Sequence, residues 1–441
     1  MMKRFYSVAF RCLLALVLPL CLVNTAWAGH ASLPEGGGPL ERPYAHLHLF
    51  GRDLPGMQAC PADSLVLLSA DEAELKPVPL QVDRRDKSGE LQYPQEPGWP
   101  MPSALLKPDD ELIFMAADAG QPPDGIELPD NSLLIRVSEP GSKERAWFVL
   151  ACDPDEQLPR SDMDYIEYMP QEATLYSSYM RIGSRPENHA IIDDLGLGAP
   201  DAPDVMDRIK MRAEAELFGL VRLTRTEEDI RSQRLAWIDG PVRVVRKMAY
   251  SLRMFWNIRS PEVVRHAAAY ANQAEFPNTM RVPFDIGLVF TDIDIYTSYD
   301  LDPAAGRLQL YSNRLEEPLI VDGLMDAREN ALDRIAPWWI CLQSSSGAFV
   351  LLTQISDPLL EMPLSVSFHY VDDAGLIVRP EDVPGTHGAY GFDILDINYF
   401  PKGVYEFGVI FYFTSDPETG WVNAVIAEED SPLELTVIQP K

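Results

Sequence analysis

The chain has 441 residues, with 37 Lys or Arg against 67 Asp or Glu, for a net charge of −30. Acidity on that scale argues against nucleic acid and anionic membrane surfaces as partners, because both repel a chain of the same sign. Thirty-eight prolines and 10% aromatic residues disfavour a helical bundle and suit a loop-rich β protein, since proline interrupts helix interiors and central strand ladders.

Lys3, Arg4 and Arg11 flank the start of a short apolar core, Leu13 to Val23, and Ala26-Trp27-Ala28 follows as a small-x-small cleavage pattern. Residues 1–28 therefore read as a secretory leader, too short and wrongly flanked for a membrane span. No later segment offers a long uninterrupted apolar run. The expected location is the periplasm or the extracellular medium after cleavage at Ala28. Cleavage removes three basic side chains and no acidic one, so 413 residues with 34 basic and 67 acidic groups remain, a net charge of −33. Cys60, Cys152 and Cys341 also remain. An oxidising compartment permits one disulfide, and Cys60 with Cys152 is the expected pair because both lie near strand ends. Cys341, inside WWICLQ, reads as a buried free thiol.

Residues 29–43, with Glu35-Gly36-Gly37-Gly38-Pro39, form a flexible lead-in. Over 44–155 short apolar runs alternate with turn residues: AHLHLF, SLVLLS, VPLQVD, DELIFMA, SLLIRVS and AWFVLA. That spacing predicts a small β-sandwich domain. Ser132 to Cys152 is its plainest hairpin, turning at Pro140-Gly141. His46 and His48 alternate on one strand, share a face, and suit an exposed or hydrogen-bonded pair better than a metal site, since no third ligand is near. Asp109, Asp110 and Glu111 read as a charged turn entering a buried strand, and Asp83 with Arg84 and Arg85 as an ion-pair cluster at a hairpin end.

A larger domain is expected over 161–441. In Asp207 to Leu223, Ile209, Met211, Ala213, Ala215 and Leu217 share one face while Arg208, Lys210, Arg212, Glu214 and Glu216 share the other. This period of two predicts a long amphipathic strand, with helix as the competing reading. Pro261 to Gln273 is the best helix candidate, with proline at its start. Val282 to Ser312 reads as a strand, a turn and a returning strand. Asp292, Asp294 and Tyr296 fall on one face of it and Ile293 and Ile295 on the other. Later, Tyr405, Phe407, Val409, Phe411 and Phe413 line one face of another strand. Antiparallel strands of this number need two packed sheets to cover their apolar faces.

These long amphipathic strands, the GPVRV segment at Gly240 to Val244 and the late PKGVYEFGVIFYF strand resemble the galactose-mutarotase-like supersandwich. Secreted polysaccharide lyases and related sugar-active proteins use that fold, often behind a smaller β domain. The resemblance implies a mainly β chain, a small N-terminal β-sandwich followed by a large antiparallel supersandwich-like domain, and a glycan as partner.

β-Elimination from a uronic acid needs a base and a cation for the sugar carboxylate. His369, His387 and Tyr390 are the candidate bases. Arg243, Arg246 and Arg379, with Tyr296, are the candidate substrate-binding groups. Asp292 and Asp294 have the oxygen ligands that a calcium ion takes. The sequence holds no G-x-S-x-G, P-loop, H-E-x-x-H or dinucleotide fingerprint. Two readings follow. One is an exported non-catalytic accessory protein whose sheet face or groove binds a glycan or another exported protein. The other is a lyase-like enzyme acting on an acidic polysaccharide.

Overall fold

A computed structural model describes Leu40, Arg42 and residues 45–440, apart from 72–73, 100–103, 256–257, 260–261, 283–284, 304–305, 376–387, 400 and 418–419. The leader lies outside these residues. The chain is mainly β, a small sandwich joined to a larger antiparallel one.

In the small sandwich, His46–Phe50, Glu111–Met115 and Gln81–Asp83 form a three-stranded sheet, His46–Phe50 and Gln81–Asp83 flanking Glu111–Met115. It packs on a five-stranded sheet in the order Glu434–Ile438, Ser132–Ser138, Arg145–Cys152, Leu65–Asp71, Glu74–Val78. Leu47, Leu49, Leu112 and Phe114 from one sheet meet Leu67, Ile135, Phe148 and Leu150 from the other. Five of the six expected runs form strands, and the sixth, VPLQVD, is split between the end of Glu74–Val78 and the strand Gln81–Asp83. Ser132–Ser138 pairs with Arg145–Cys152 as the expected hairpin. Cys60 and Cys152 are bonded, their Cα atoms 5.9 Å apart. The Glu434–Ile438 strand pairs with Ser132–Ser138, a return across about three hundred residues that no local pattern announces.

The large sandwich sets a five-stranded sheet against a ten-stranded one. The five-stranded order is Val221–Thr226, Met206–Leu217, Phe290–Leu301, Ala389–Ile397, Ser365–Val371. In the other sheet, Gly403–Thr414 runs between Gln273–Val282 and Ala348–Ile355. Tyr299, Phe368, Tyr370 and Tyr390 from the first sheet pack with Phe276, Phe349, Phe411 and Phe413 from the second. Burying each such ring contributes about 1.5–3 kcal/mol. A four-stranded sheet, Ile166–Met169 to Asn188–Leu197, adjoins the same core.

The strand reading of the Asp207 stretch holds over Met206–Leu217: Ile209, Met211, Ala213 and Ala215 are buried, and Arg212 and Glu214 are half-buried on the opposite face. Cys341 is buried and free. Two expectations fail. The helix expected over Pro261 to Gln273 is instead the strand Val263–Tyr270, paired with Arg243–Phe255 and Gln273–Val282. Its alanines favour a helix locally, but ladder partners on both sides override propensity. The strand expected to return after Phe290–Leu301 does not pair with it: Leu308–Ser312 crosses to the ten-stranded sheet, beside Trp339–Gln343.

Candidate functional site

The residues singled out from sequence do not assemble into one site. Tyr390 has no exposed surface and stacks on Tyr299, ring centroids 5.2 Å apart. Burial pushes its hydroxyl well above the ordinary phenol value, so it is a core residue and not a base. His369 is half-buried and faces Asp393, Nδ1 to Oδ2 3.3 Å. Asp393 stands opposite Tyr296 on one side and Ser367 on the other. Tyr296 and His369 therefore share the polar outer face of the five-stranded sheet, with Tyr390 on the inner one. Arg379 and His387 lie outside the described residues.

Asp292 and Asp294 do not make the expected calcium site. Asp292 has φ 48°, and the register with Met206–Leu217 slips between Glu214 and Glu216. The strand bulges there, so Asp292 leaves the row that strict alternation predicts. Asp294 accepts a hydrogen bond from the Asp396 amide at 3.0 Å. Among the described residues no group of three or more His, Cys, Asp or Glu side chains is arranged to hold a metal ion.

Arg243 and Arg246 are not groove cations. Arg246 is 1% exposed and lies 5.6 Å from the Tyr168 ring centroid. Arg243 is buried where the two sandwiches meet. Its Nε donates to Asp83 at 2.8 Å and its Nη2 to Glu111 at 2.7 Å. Burial opposes its charge, but Asp83, Tyr270 and Glu111 outweigh burial and hold its pKa well above the ordinary value. The expected Asp83 cluster is thus re-partnered: Asp83 bonds Arg243, while Arg84 pairs with Asp110 and Arg85 with Glu111.

The same junction contains the histidine pair. Glu111, His48, His46 and Glu275 form a chain: His48 Nδ1 to Glu111 Oε1 is 2.7 Å, His46 Nδ1 to His48 Nε2 is 2.7 Å, and His46 Nε2 to Glu275 Oε1 is 3.2 Å. Both ends are acceptors, so completing all three contacts takes three ring protons, one more than two neutral imidazoles carry. His46 also stacks on Tyr270 with centroids 3.8 Å apart. Burial raises the Glu275 carboxyl, but the hydrogen bond from His46 and the neighbouring positive charge hold it below the usual range. Of the two states expected for the histidine pair, exposed or hydrogen-bonded, the hydrogen-bonded one is present, and it is the one sequence signal that leads to the pocket beside it.

That pocket, of about 270 Å³, opens on the outer face of the ten-stranded sheet. Its floor comes from Gln273, Glu275, Ile410 and Tyr412, which project from adjacent strands because Gln273 pairs with Tyr412 and Glu275 with Ile410. His46 closes one side, and Glu428 and Glu429 come from the helix Trp421–Asp430. The helix sits there because Val422, Val425 and Ile426 pack on Val350, Leu352, Ile410 and Tyr412. Arg42 secures its end, donating to the carbonyls of Ala427 and Ser431 at 3.0 and 2.6 Å. Tyr412 donates to Glu429 at 2.6 Å and Gln354 to Glu429 at 3.2 Å. Burial pushes the Glu428 carboxyl up to about 7. Apart from His46, these residues carry no signal in sequence, because strand pairing and helix docking bring them together.

No helix among the described residues is long and apolar enough to cross a membrane. No protein-family model matches the chain, and no curated protein matches it. Among solved structures it is similar to an alpha-mannosidase from Enterococcus faecalis V583, with 9% identity and a TM-score of 0.42. It is also similar to a protein in glycosyl hydrolase family 38 from Enterococcus faecalis, with 9% identity and a TM-score of 0.45. Both matches cover 100% of this chain, which spans about half of each structure's length, 48% and 49%. Similarity at that level leaves the activity of this chain to its own residues.

Proposed function

We propose that the protein is an exported, non-catalytic binding protein that holds a glycan in the pocket beneath the Trp421–Asp430 helix. The observation that supports this reading is the pocket's lining. Carboxylates of Glu275, Glu428 and Glu429 and the amides of Gln273 and Gln354 surround an apolar strip of Pro277 and Ile410. A concave site with a few converging polar groups over apolar carbon is the common form of a small-ligand site. Its hydrogen-bonding groups match sugar hydroxyls, and its carbon strip matches a pyranose C–H face. A volume of about 270 Å³ suits one or two sugar units better than a docking segment of another exported protein.

β-Elimination on an acidic polysaccharide has weaker support. Arg243 and Arg246 are committed to buried contacts, Tyr390 is enclosed, and a uronate would meet a wall of carboxylates. Export rests on the leader, and N-terminal sequencing of the protein from its native host should begin at Gly29.

The experiment is calorimetric titration of the purified chain lacking residues 1–28 with oligosaccharides, neutral, acidic and amine-bearing, alongside product analysis by mass spectrometry. Binding without cleavage, weakened at least tenfold by Glu275→Gln, is the expected result. Unsaturated or hydrolysed products from any of the sugars would replace this reading with an enzymatic one.

A further inference from the structure

Resting on the glycan reading, the ligand's chemistry can be taken one step further from the protons the pocket wall has already used. His46 Nε2 is directed at Glu275, and its other nitrogen at His48. Tyr412 gives its one hydroxyl proton to Glu429. Gln273 donates to Glu275 at 3.0 Å, and Gln354 donates to Glu429. Most of the wall's donors therefore turn onto its own carboxylates, leaving the second N–H of each glutamine amide, and acceptors outnumber the donors left for a ligand.

Two of those acceptors stand out. Gln273 is 1% exposed, and its Oε1 has no hydrogen-bond partner among the described residues, a costly state for a buried amide oxygen. Glu428 makes no hydrogen bond or ion pair with another described residue, although Arg42, His46, Glu429 and Glu139 lie near enough to influence its charge. It also sits in the last turn of its helix, with Glu429 and Asp430 beside it. Carboxylates at that end oppose the helix dipole by about 0.3–1 kcal/mol each. A local rule broken three times in succession, at the mouth of a cavity, marks a place where function outweighs stability. None of the lining residues is Lys or Arg, and the described residues offer no metal-holding group.

We propose that the pocket binds the ammonium group of an amine-bearing saccharide, between the carboxylates of Glu428 and Glu275 and within reach of the Gln273 amide oxygen. An ammonium presents three donors and a positive charge, which answers both the acceptor surplus and a carboxylate with no ion pair among the described residues. Burial lifts the Glu428 carboxyl to about 7, and Arg42 and His46 offset it only in part. The strip of Pro277 and Ile410 then takes the sugar ring's carbon face.

The test is calorimetric titration at pH 7.5 with four probes: a glucosamine disaccharide with free amines, its N-acetylated form, the plain glucose disaccharide, and putrescine. The free amine disaccharide is expected to bind at least tenfold tighter than either neutral disaccharide and than putrescine. Glu428→Gln, checked for unchanged unfolding midpoint, is expected to erase that preference. Equal binding of free-amine and N-acetylated forms overturns the ammonium assignment and leaves glycan binding standing. Putrescine binding as tightly as the amine disaccharide overturns the saccharide part. Binding of none of the four overturns the ammonium assignment, and the glycan reading falls with it only if the wider oligosaccharide set is also silent. A preference that survives in Glu428→Gln overturns the placement.

Discussion

Arg243 of the large sandwich donates to Glu111 of the small one across 2.7 Å, with both side chains buried. The same guanidinium bonds Asp83, and Glu111 also receives Arg85. Burial raises the Glu111 carboxyl, but His48, Arg243 and Arg85 together hold it well below the ordinary carboxylate range. Replacing the cation alone leaves two buried carboxylates short of a partner, a loss of about 3–5 kcal/mol. Arg243→Leu is therefore expected to lower the urea midpoint strongly. Adding Asp83→Asn and Glu111→Gln should recover part of the loss, because the unpaired charges go with the pair. A triple variant no more stable than the single one would show that the network's charges do not couple.

The Cys60–Cys152 bond closes a loop with a sequence separation of 92. Loop-closure entropy assigns such a crosslink roughly 4–5 kcal/mol, so Cys60→Ser with Cys152→Ser should unfold at clearly lower urea. Cys341 behaves differently. Its thiol is 3% exposed and burial pushes it up to about 12, so the thiolate that a maleimide needs is scarce. For the chain lacking residues 1–28, intact mass should show no label on the native protein. It should show one label after urea alone and three after urea with reductant. A label on the native protein would place Cys341 at the surface.

Sequence reading succeeds here wherever one face of a strand is buried. Ile209 to Ala215 and Ile293 with Ile295 are legible because the side-chain period of two needs no knowledge of the partner. It fails where partners decide. Val263–Tyr270 is alanine-rich and helix-like until Arg243–Phe255 and Gln273–Val282 flank it. Arg243 and Arg246 read as groove cations because their type suits solvent, and only the fold reveals carboxylates and a tyrosine ring closing over them. The pocket is the extreme case. His46, Glu275, Gln354, Tyr412 and Glu428 come from five separate segments, and of these only His46 had a pattern around it, the alternation with His48.

Tyr390 separates a catalytic phenol from a packing ring. Its hydroxyl is buried with no hydrogen-bond partner among the described residues, so Tyr390→Phe removes an unsatisfied polar atom while keeping the stack on Tyr299. Such a change is close to neutral or stabilising. Tyr390→Ala opens a ring-sized cavity and should cost about 3–5 kcal/mol. Glycan binding should be the same in Tyr390→Phe as in the parent. A Phe variant that folds normally yet loses binding would return this residue to the site.

Asp118 of the small sandwich accepts a hydrogen bond from Tyr165 of the large one at 2.6 Å. Among the described residues it has no positive partner: burial lifts its carboxyl from 3.8 to about 7, against the smaller opposing effect of the Tyr165 hydroxyl. Below about pH 4 the folded and unfolded chains both carry the proton, and the group costs nothing. Between about pH 4 and 7 the unfolded chain ionises while the folded one keeps its proton, so stability falls as pH rises. The gap corresponds to about 4 kcal/mol, all of it lost once pH exceeds the folded value. Asp118→Asn has no proton to lose and an oxygen that can still accept from Tyr165. Urea midpoints measured from pH 4.5 to 8 should therefore converge at the acid end. The variant should become the more stable protein by several kcal/mol at pH 8. Parallel curves across that range would mean that Asp118 ionises alike in both states, and that burial at this junction does not hold its proton.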